Sequence, residues 1–289
     1  MNLSCKFNLK SKICWLIFIM ITVIYVMPLL ITFTNSFMSS GEVESNYRTG
    51  NLSLQEDDFI DMNLVPDKVT LSQYGNLLFG SPVYLNMFWN SVKIVVPIVI
   101  GQMIVSSMAA YAFTVLKFRG KEAVFFLYII VMLLPLQVTL MPNYMIVNWL
   151  NIQESYLAII LPGIFQPMGV FLLRQYMKSM PDAYMESAKI DGAGHGRIFV
   201  SILLPLMKPG IAAMVMLTLL DYWNLVDQAV IFIQDSEAQP LSLFLAQINN
   251  GDAGLAFAGS CFYALPVLMV LFYGQEYLKS GISITGLKG

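Results

Sequence analysis

Long runs without a charged residue alternate with short polar segments along most of this chain. Five such runs cover residues 13–41, 94–116, 123–153, 155–173 and 253–275. A sixth apolar run, from Pro209 to about Gln228, carries Asp221 inside it and Asp227 near its end. Each run supplies the roughly 20 apolar residues that a helix needs to cross a hydrocarbon core of ~30 Å. The pattern therefore predicts an all-α integral membrane protein with six transmembrane helices.

The composition agrees with a chain that is surrounded by membrane lipid. Of its 289 residues, 57% are hydrophobic and only 12% are charged, whereas soluble domains carry roughly 25% charged residues. This balance argues against a soluble enzyme and against a nucleic-acid-binding protein. Cys5, Cys14 and Cys261 lie far apart, so neither a disulfide framework nor a metal site is predicted. The apolar runs contain no His/Asp or Ser/Lys constellation, so no catalytic residue is predicted.

Lysine and arginine residues are concentrated in the segments that six spans place on one side of the membrane. With the N-terminus inside, the outer segments hold only Arg48, Lys68 and Lys93 of the 16 basic residues. Since cytoplasmic loops are enriched in Lys and Arg, both termini are predicted to be cytoplasmic. A cleaved signal peptide is the alternative for the first apolar run, but that run is longer than an h-region and no A-x-A site follows it.

These boundaries divide the chain into five parts. Residues 1–12 form a cytoplasmic N-terminus, 13–38 the first transmembrane helix, 39–85 an acidic extracytoplasmic loop, 86–280 a five-helix core and 281–289 a cytoplasmic tail. Within the core, residues 179–205 form the longest cytoplasmic segment. This segment is distinctive because it is polar and glycine-rich where its neighbours are apolar.

The cytoplasmic segment has the sequence ESAKIDGAGHGRIFVSILLP over residues 186–205. Pro181 and Asp182 suit the first turn of a helix, glycines at 192, 194 and 196 end that helix, and an apolar helix resumes over 197–204. The prediction is two short helices joined by a glycine elbow outside the membrane. Small side chains at Ala183, Ser187 and Ala188 would let another protein approach closely, and Glu186 offers a charge for an arginine of that protein.

At these residues the sequence resembles the permease subunits of bacterial ATP-binding-cassette importers. Their cytoplasmic signature is E-A-A, three residues, G, nine residues, then I-x-L-P. Glu186-Ser187-Ala188, Gly192 and Ile202-Leu203-Leu204-Pro205 have this spacing, with Ser187 in place of the first alanine. Ile190-Asp191-Gly192-Ala193 and Tyr222-Trp223-Asn224 are typical of the carbohydrate importers in particular. The ending, Gly286-Leu287-Lys288-Gly289, is similar to that of the second permease of the maltose importer.

The resemblance covers about residues 60–289 and implies a type I importer permease fold in the bacterial inner membrane. It implies a second permease subunit, a dimer of ATPase subunits and an extracytoplasmic sugar-binding protein as partners. ATP and Mg²⁺ belong to the ATPase, and this chain contains no G-x-x-x-x-G-K-[ST] loop. It is therefore predicted to be a transport subunit without a cofactor of its own. The residues expected to couple it to the ATPase are Glu186, Ser187, Ala188, Asp191, Gly192, Ile202 and Pro205.

Asp221 is the one acidic residue clearly inside an apolar run, and such a carboxylate normally faces a cavity or a partner. With Tyr222, Trp223 and Asn224 it forms a patch suited to a sugar, and Gln137 in the third span is a further polar candidate. The alternatives are that Asp221 pairs with a neighbouring helix or the second permease, and that Gln137 is a helix-packing residue. No Lys or Arg lies deep in a span, which favours an uncharged cargo; a cation supplied by the second permease is the alternative.

A polar segment before the last span contains Gln247, Asn249, Asn250 and Asp252. In the maltose family this loop reaches into the binding protein, and an ordinary solvated loop is the alternative. Two other functions also remain open, a secondary transporter and a membrane scaffold without an ATPase partner. A secondary transporter is expected to show repeated halves and several ionisable residues at mid-membrane, and neither is found.

Overall fold

The structure is a computed structural model and describes residues 9–47, 65–80, 82–247 and 253–286. Within those residues it is helical and has no strand. The helices are α1 Leu9–Asn35, α2 Ser40–Tyr47, α3 Ser72–Gly75, α4 Pro82–Val115, α5 Lys121–Met132, α6 Leu136–Trp149, α7 Leu157–Ile164, α8 Pro167–Lys178, α9 Ala183–Ile190, α10 His195–Arg197, α11 Leu204–Leu206, α12 Lys208–Trp223, α13 Asp227–Phe232, α14 Leu241–Gln247 and α15 Ala253–Gly286. Two π-helical segments, Asn76–Gly80 and Ile198–Leu203, follow α3 and α10 directly.

Among the described helices, four stretches are long and apolar enough to cross a membrane without a sharp bend. They are Lys12–Asn35, Pro82–Val115, Leu157–Lys178 and Ala253–Tyr277. Two further pairs qualify only if each bent pair counts as one span: α5 with α6, bent by 105°, and His195–Leu206 with α12, bent by 72°. The fold is thus an all-helical membrane fold with four to six spans, as the apolar runs predict.

The predicted third span, residues 123–153, is two helices that meet at a bend. Pro135 lies at the junction in an extended conformation, with φ −64° and ψ 146°. Proline has no N–H to continue the helical hydrogen bonds, and its ring disfavours helical geometry at the preceding residue. The bend therefore has a local cause, while its size of 105° is a property of the folded chain.

Contacts divide the chain into two units, of which the first comprises Met1–Tyr84 and Gln247–Ala264. Its 39–85 segment, predicted as a loop, contains α2 and α3 instead. The α2 helix is tied to the end of α1 by a hydrogen bond from the Asn35 side chain to the Tyr47 hydroxyl. Tyr74 donates to Ser36 at 2.8 Å. These side-chain bonds fix the described parts of the predicted loop, residues 39–47 and 65–80.

The second unit comprises Leu85–Ala246 and Leu265–Gly289. Its main apolar core joins the end of α4, α8, α9, the following π-helical segment and the start of α12, through Ala110, Tyr111, Leu173, Tyr176, Met177, Ala188, Ile198, Leu203, Met207 and Met214. The predicted cytoplasmic segment, residues 179–205, is therefore packed into the core of this unit. The last helix continues to Gly286, so the tail predicted from residue 281 is largely helical.

The end of α4 is secured by two basic side chains from later in the chain. Arg174, on α8, donates from Nε to the carbonyl oxygen of Phe113 at 3.2 Å, and Lys121 donates to the Thr114 carbonyl at 2.9 Å. The last carbonyls of a helix have no partner inside the helix, so basic side chains stabilise them. These contacts hold α8, which leads into the cytoplasmic segment, against α4.

Candidate functional site

The α9 helix ends in a Schellman motif centred on Gly192. The Ala193 N–H donates to the carbonyl of Ala188 at 2.9 Å, and the Gly192 N–H donates to that of Lys189 at 3.0 Å. Gly192 has φ +76°, a left-handed conformation that glycine adopts without steric cost. The chain reverses there, and helix resumes at His195 rather than at the predicted Arg197. The predicted pair of helices and their glycine elbow are thus present, with Gly196 inside the second helix.

The α9 helix presents most of the predicted coupling residues at its surface. Glu186, Ser187, Asp191 and Gly192 are exposed, as is Pro205 further along, and Ile202 is half-buried. The Ser187 hydroxyl donates to the carbonyl of Ala183 at 2.8 Å. The serine that replaces alanine is therefore satisfied within its own helix and leaves the surface available.

The expectation that the small residues of the signature face outward is wrong for Ala188. It is only 5% exposed and packs in the apolar core of the chain itself. Its small size permits close packing of α9 on the unit to which it belongs. The outward contact falls to the neighbouring residues instead.

Two large side chains on this surface were missed by the sequence reasoning. Ile190 is 85% exposed, and Tyr184 is also exposed. Both lie on α9 among the polar coupling residues, so an apolar contact is available beside Glu186. The only signal in the sequence was the apolar Ile190 directly before Asp191 and Gly192.

The elbow is also fastened to α4 by polar contacts. The Tyr111 hydroxyl lies 2.8 Å from Nδ1 of His195 and donates to the His195 carbonyl at 3.3 Å. The Tyr111 ring also contacts Phe199, with 5.2 Å between ring centroids. His195, the single histidine of the chain, is therefore a structural partner of α4.

The elbow continues directly into α12 through a tightly packed bend. Met207, at the 72° bend, has no exposed surface. At Gly210 a Cβ atom would lie 2.7 Å from the ring of Tyr176, so only glycine allows α12 to lie this close to α8. The elbow and α12 thus meet in a close-packed junction.

Gly192 provides a direct test of the elbow. Replacing it with alanine places a side chain at φ +76°, which costs roughly 1–2 kcal/mol. We expect Gly192→Ala to reduce the amount of ATPase subunit retained when the chain is purified through an affinity tag. Gly194→Ala is the matched control, because Gly194 has φ −71° and a Cβ there also meets open space. Equal retention in the two variants would contradict the assigned role of Gly192.

A cavity of about 310 Å³ lies in the second unit, above the elbow along α12. Its lining residues are Gln102, Leu136, Gln166, Met168, Gly169, Leu172, Met214, Leu217, Thr218, Asp221, Tyr222, Leu225 and Gln228. We call this the inner cavity. Asp221 lies thirteen residues beyond Lys208, or ~20 Å at 1.5 Å per residue. The helix that begins at the elbow thus carries side chains into the cavity.

Hydrogen bonds hold the polar side chains of the inner cavity in place. Thr218 donates to the Gln102 side chain, and Tyr222 is hydrogen-bonded to Gln166. At Gly169 a Cβ atom would lie 2.5 Å from the Ser106 hydroxyl, so glycine is needed where α8 approaches α4. The wall is thus a fixed arrangement of amides, hydroxyls and one carboxylate between apolar side chains.

The structure brings together only part of the predicted substrate patch. Asp221 and Tyr222 line the inner cavity, but Trp223 is buried against Phe88, with 5.7 Å between ring centroids. The Asn224 side chain donates to the carbonyl of Leu220 at 2.8 Å, and neither Asn224 nor the exposed Gln137 is among the lining residues. Consecutive residues point in different directions around a helix, which separates Trp223 and Asn224 from Tyr222. Gln102, Gln166, Thr218 and Gln228 were missed, because single amides and hydroxyls in apolar helices carry no distinctive pattern.

Comparison with known proteins identifies the family. Residues 102–283 match the family described as the inner membrane component of binding-protein-dependent transport systems. The chain belongs to this family. The matched range includes the elbow and the inner cavity, so the permease has both features within its family core.

Relatives match over almost the full length of the permease. The arabinooligosaccharides transport system permease protein AraQ of Bacillus subtilis is 30% identical, over 99% of this chain and 99% of that protein. The maltodextrin transport system permease protein MdxG of the same species is 27% identical, over 98% of each chain. A chain of a bacterial ABC transporter involved in import of the acidic polysaccharide alginate superposes with TM-score 0.79 at 20% identity, covering 96% of this chain and 99% of that chain. Its likeness supports the type I importer permease fold.

Family membership decides between the functions that the sequence left open. The permease is a subunit of a binding-protein-dependent transport system. The two alternative predictions, a secondary transporter and a membrane scaffold without an ATPase partner, are therefore wrong. The predicted contact loop stays a prediction, since Asn249, Asn250 and Asp252 lie outside the described residues and Gln247 is the last backbone position of α14.

Proposed function

We propose that this permease forms the translocation pathway for an uncharged sugar or oligosaccharide, together with a second permease subunit. A dimer of ATPase subunits binds ATP and Mg²⁺ and drives the cycle, and an extracytoplasmic sugar-binding protein delivers the cargo. The relatives support an oligosaccharide, since AraQ and MdxG are named for arabinooligosaccharides and maltodextrin.

The observation that carries this proposal is the chemistry of the inner cavity. Its polar lining consists of three glutamines, Thr218, Tyr222 and Asp221, and no Lys or Arg is among its described lining residues. Amides, hydroxyls and a carboxylate exchange hydrogen bonds with sugar hydroxyls, while the apolar side chains between them contact the ring faces. A phosphorylated or carboxylated cargo would need a cation along its path. The cavity therefore suits a neutral, polyhydroxylated molecule.

We also propose how ATP hydrolysis in the partner subunits drives transport. The exposed surface of α9, with Tyr184, Glu186, Ser187 and Ile190, is the contact for an ATPase subunit. Closing of the ATPase dimer moves α9, the packed bend at Met207 transmits the movement, and α12 turns the wall that carries Asp221. Coupled transport requires one element whose conformational equilibrium is shifted both by ATP and by cargo.

The orientation follows from the basic residues. Lysine and arginine are concentrated on the side that carries α9, and Arg48, Lys68 and Lys93 alone lie opposite. By the positive-inside rule, α9 and both termini are cytoplasmic and the α6–α7 and α13–α14 connections are outside. The bacterial inner membrane is the location that fits a cytoplasmic ATPase and an external binding protein.

Asp221→Asn tests the role of the inner cavity. The change keeps the shape of the side chain but removes the charge, and a hydrogen bond to a charged group contributes roughly 1.5–3 kcal/mol. We expect uptake at saturating loaded binding protein to fall about tenfold, since 1.4 kcal/mol corresponds to a factor of ten. The measurement uses proteoliposomes with both permeases, the ATPase, the binding protein and labelled neutral saccharides.

Asp227→Asn is the matched control, because Asp227 is exposed and is not among the residues that line the inner cavity. It is expected to transport at the wild-type rate. If both variants transport normally, Asp221 does not contact the cargo. If the wild type imports only anionic saccharides, the proposal of an uncharged cargo is wrong.

A further inference from the structure

A second cavity of about 360 Å³ lies in the same unit, beside the last two turns of α6. Its lining residues are Tyr144, Asn148, Gln153, Glu154, Ile231, Phe232 and Gln234. We call this the outer cavity. In the orientation proposed above, it opens on the extracytoplasmic side, where a binding protein releases its cargo.

The two cavities follow one another along the same two helices. On α6, Leu136 lines the inner cavity and Tyr144 the outer one, a separation of ~12 Å at 1.5 Å per residue. On α13, Gln228 lines the inner cavity, and Phe232, four residues later, lines the outer one. Residues four apart lie on the same face of a helix. A cargo passing along this face meets the outer cavity first and the inner cavity about one to two helical turns later.

The outer cavity combines an aromatic ring with polar side chains. The rings of Tyr144 and Phe232 are stacked, with 6.4 Å between centroids and 25° between planes. Phe232 is buried whereas Tyr144 is exposed, so the buried ring supports the exposed one. Asn148, Gln153 and Gln234 supply amides and Glu154 a carboxylate.

Glu154 is held in an unusual backbone conformation at the rim of the outer cavity. Its φ is +56°, in the left-handed region that residues other than glycine seldom adopt. Asn151, three residues earlier, has φ +54°. Such conformations cost of order 1–3 kcal/mol each and persist only where the surrounding structure imposes them. The α6–α7 connection therefore has a defined shape that places Glu154 at the cavity.

We propose that the outer cavity is an entry subsite that binds one sugar unit of a neutral oligosaccharide while another unit occupies the inner cavity. The Tyr144 ring contacts the apolar face of the sugar, the amides donate hydrogen bonds to its hydroxyls and accept them, and the Glu154 carboxylate accepts them. This inference rests on the proposed cargo. It adds a second contact that only an oligosaccharide long enough to reach both cavities can use.

The experiment compares Tyr144→Ala with the wild type in proteoliposomes that contain the complete transporter and its binding protein. The probes are neutral malto- and arabino-oligosaccharides from dimer to hexamer. One readout is the uptake rate for each length, and the other is the binding-protein concentration that gives half-maximal ATP hydrolysis. Tyr144→Phe keeps the ring, and Trp149→Ala removes an exposed aromatic residue of α6 that does not line the cavity.

We expect Tyr144→Ala to slow uptake of the longer oligosaccharides about fivefold, which corresponds to the loss of an aromatic contact of about 1 kcal/mol. Dimer uptake and the half-maximal binding-protein concentration are expected to stay within about twofold of the wild type, and both Tyr144→Phe and Trp149→Ala to behave as the wild type. A change in the half-maximal binding-protein concentration without dependence on saccharide length would overturn the inference and show a docking contact for the binding protein. Equal rates for Tyr144→Ala and wild type would also overturn it. Failure of the wild type to import any neutral saccharide would reject the proposed cargo itself.

Discussion

ATP-driven uptake is expected to be lost when Ile190 is replaced by glutamate. Ile190 is 85% exposed on α9, and burying an isoleucine side chain against a partner stabilises the contact by roughly 1.5–3 kcal/mol. A glutamate there removes this gain and adds the cost of removing a charge from water. We expect the ATPase subunit to be absent from the purified complex and uptake to fall at least about a hundredfold.

The amount of Ile190→Glu protein in the membrane is expected to be unchanged, because substitutions of exposed residues usually change stability by less than about 0.5 kcal/mol. Ile190→Leu keeps an apolar side chain and is expected to retain the ATPase. Val69→Glu makes the same kind of change at an exposed position in the first unit, before α3, and is also expected to retain it. If the ATPase co-purifies normally with Ile190→Glu, the proposed contact between α9 and the ATPase is wrong.

The second large effect is expected at Arg174, which is only 2% exposed although it carries a charge. Its guanidinium donates to Glu122 at 2.6 Å, donates to the carbonyl of Phe113 and lies 3.6 Å from the centre of the Phe125 ring. Arg174→Ala removes these contacts, leaves a terminal helix carbonyl without its donor and opens a void. Because of these losses, we expect Arg174→Ala to lower the free energy of unfolding by about 3 kcal/mol.

Thermal unfolding of the purified complex measures this effect, together with the amount of the permease in membranes. Arg174→Lys is expected to recover only part of the stability, because an ammonium group does not reproduce the planar stack on Phe125 with two directed hydrogen bonds. Lys178→Ala is the control, since Lys178 is exposed one turn later on α8. If Arg174→Ala and Lys178→Ala unfold at the same temperature, Arg174 does not secure α8 to α4.

The membrane fold and the coupling elbow could be predicted from local sequence because each depends on a local physical constraint. A span needs about 20 apolar residues, and the glycine that ends α9 is needed for a left-handed backbone position. Both constraints are visible in the order of the residues. The prediction of a coupling function came from the spacing of Glu186, Gly192 and Pro205, which resembles that of a family, and the match over residues 102–283 confirms the family.

The inner cavity could be predicted only in part. Asp221 was a candidate because a carboxylate inside an apolar run is unusual, and it lines the cavity together with Tyr222. Gln102, Gln166 and Gln228 come from separate parts of the chain, and nothing local marks any of them as a lining residue. Their convergence depends on how α4, α8 and α12 pack, with glycine at 169 and 210 setting the closest approaches.

By itself the sequence determined that this chain crosses a membrane several times, which side carries the basic residues and where a glycine-ended helix interrupts the apolar runs. These features depend on the hydrophobicity, charge and backbone conformation of a few neighbouring residues, so they can be predicted from the local sequence. Only the tertiary structure decided that Ala188 packs inward while Ile190 faces outward, that the bend at Pro135 reaches 105°, and that amides from distant segments share a cavity. Those features depend on which surfaces meet after folding, and contacts between residues far apart in the chain leave no local pattern.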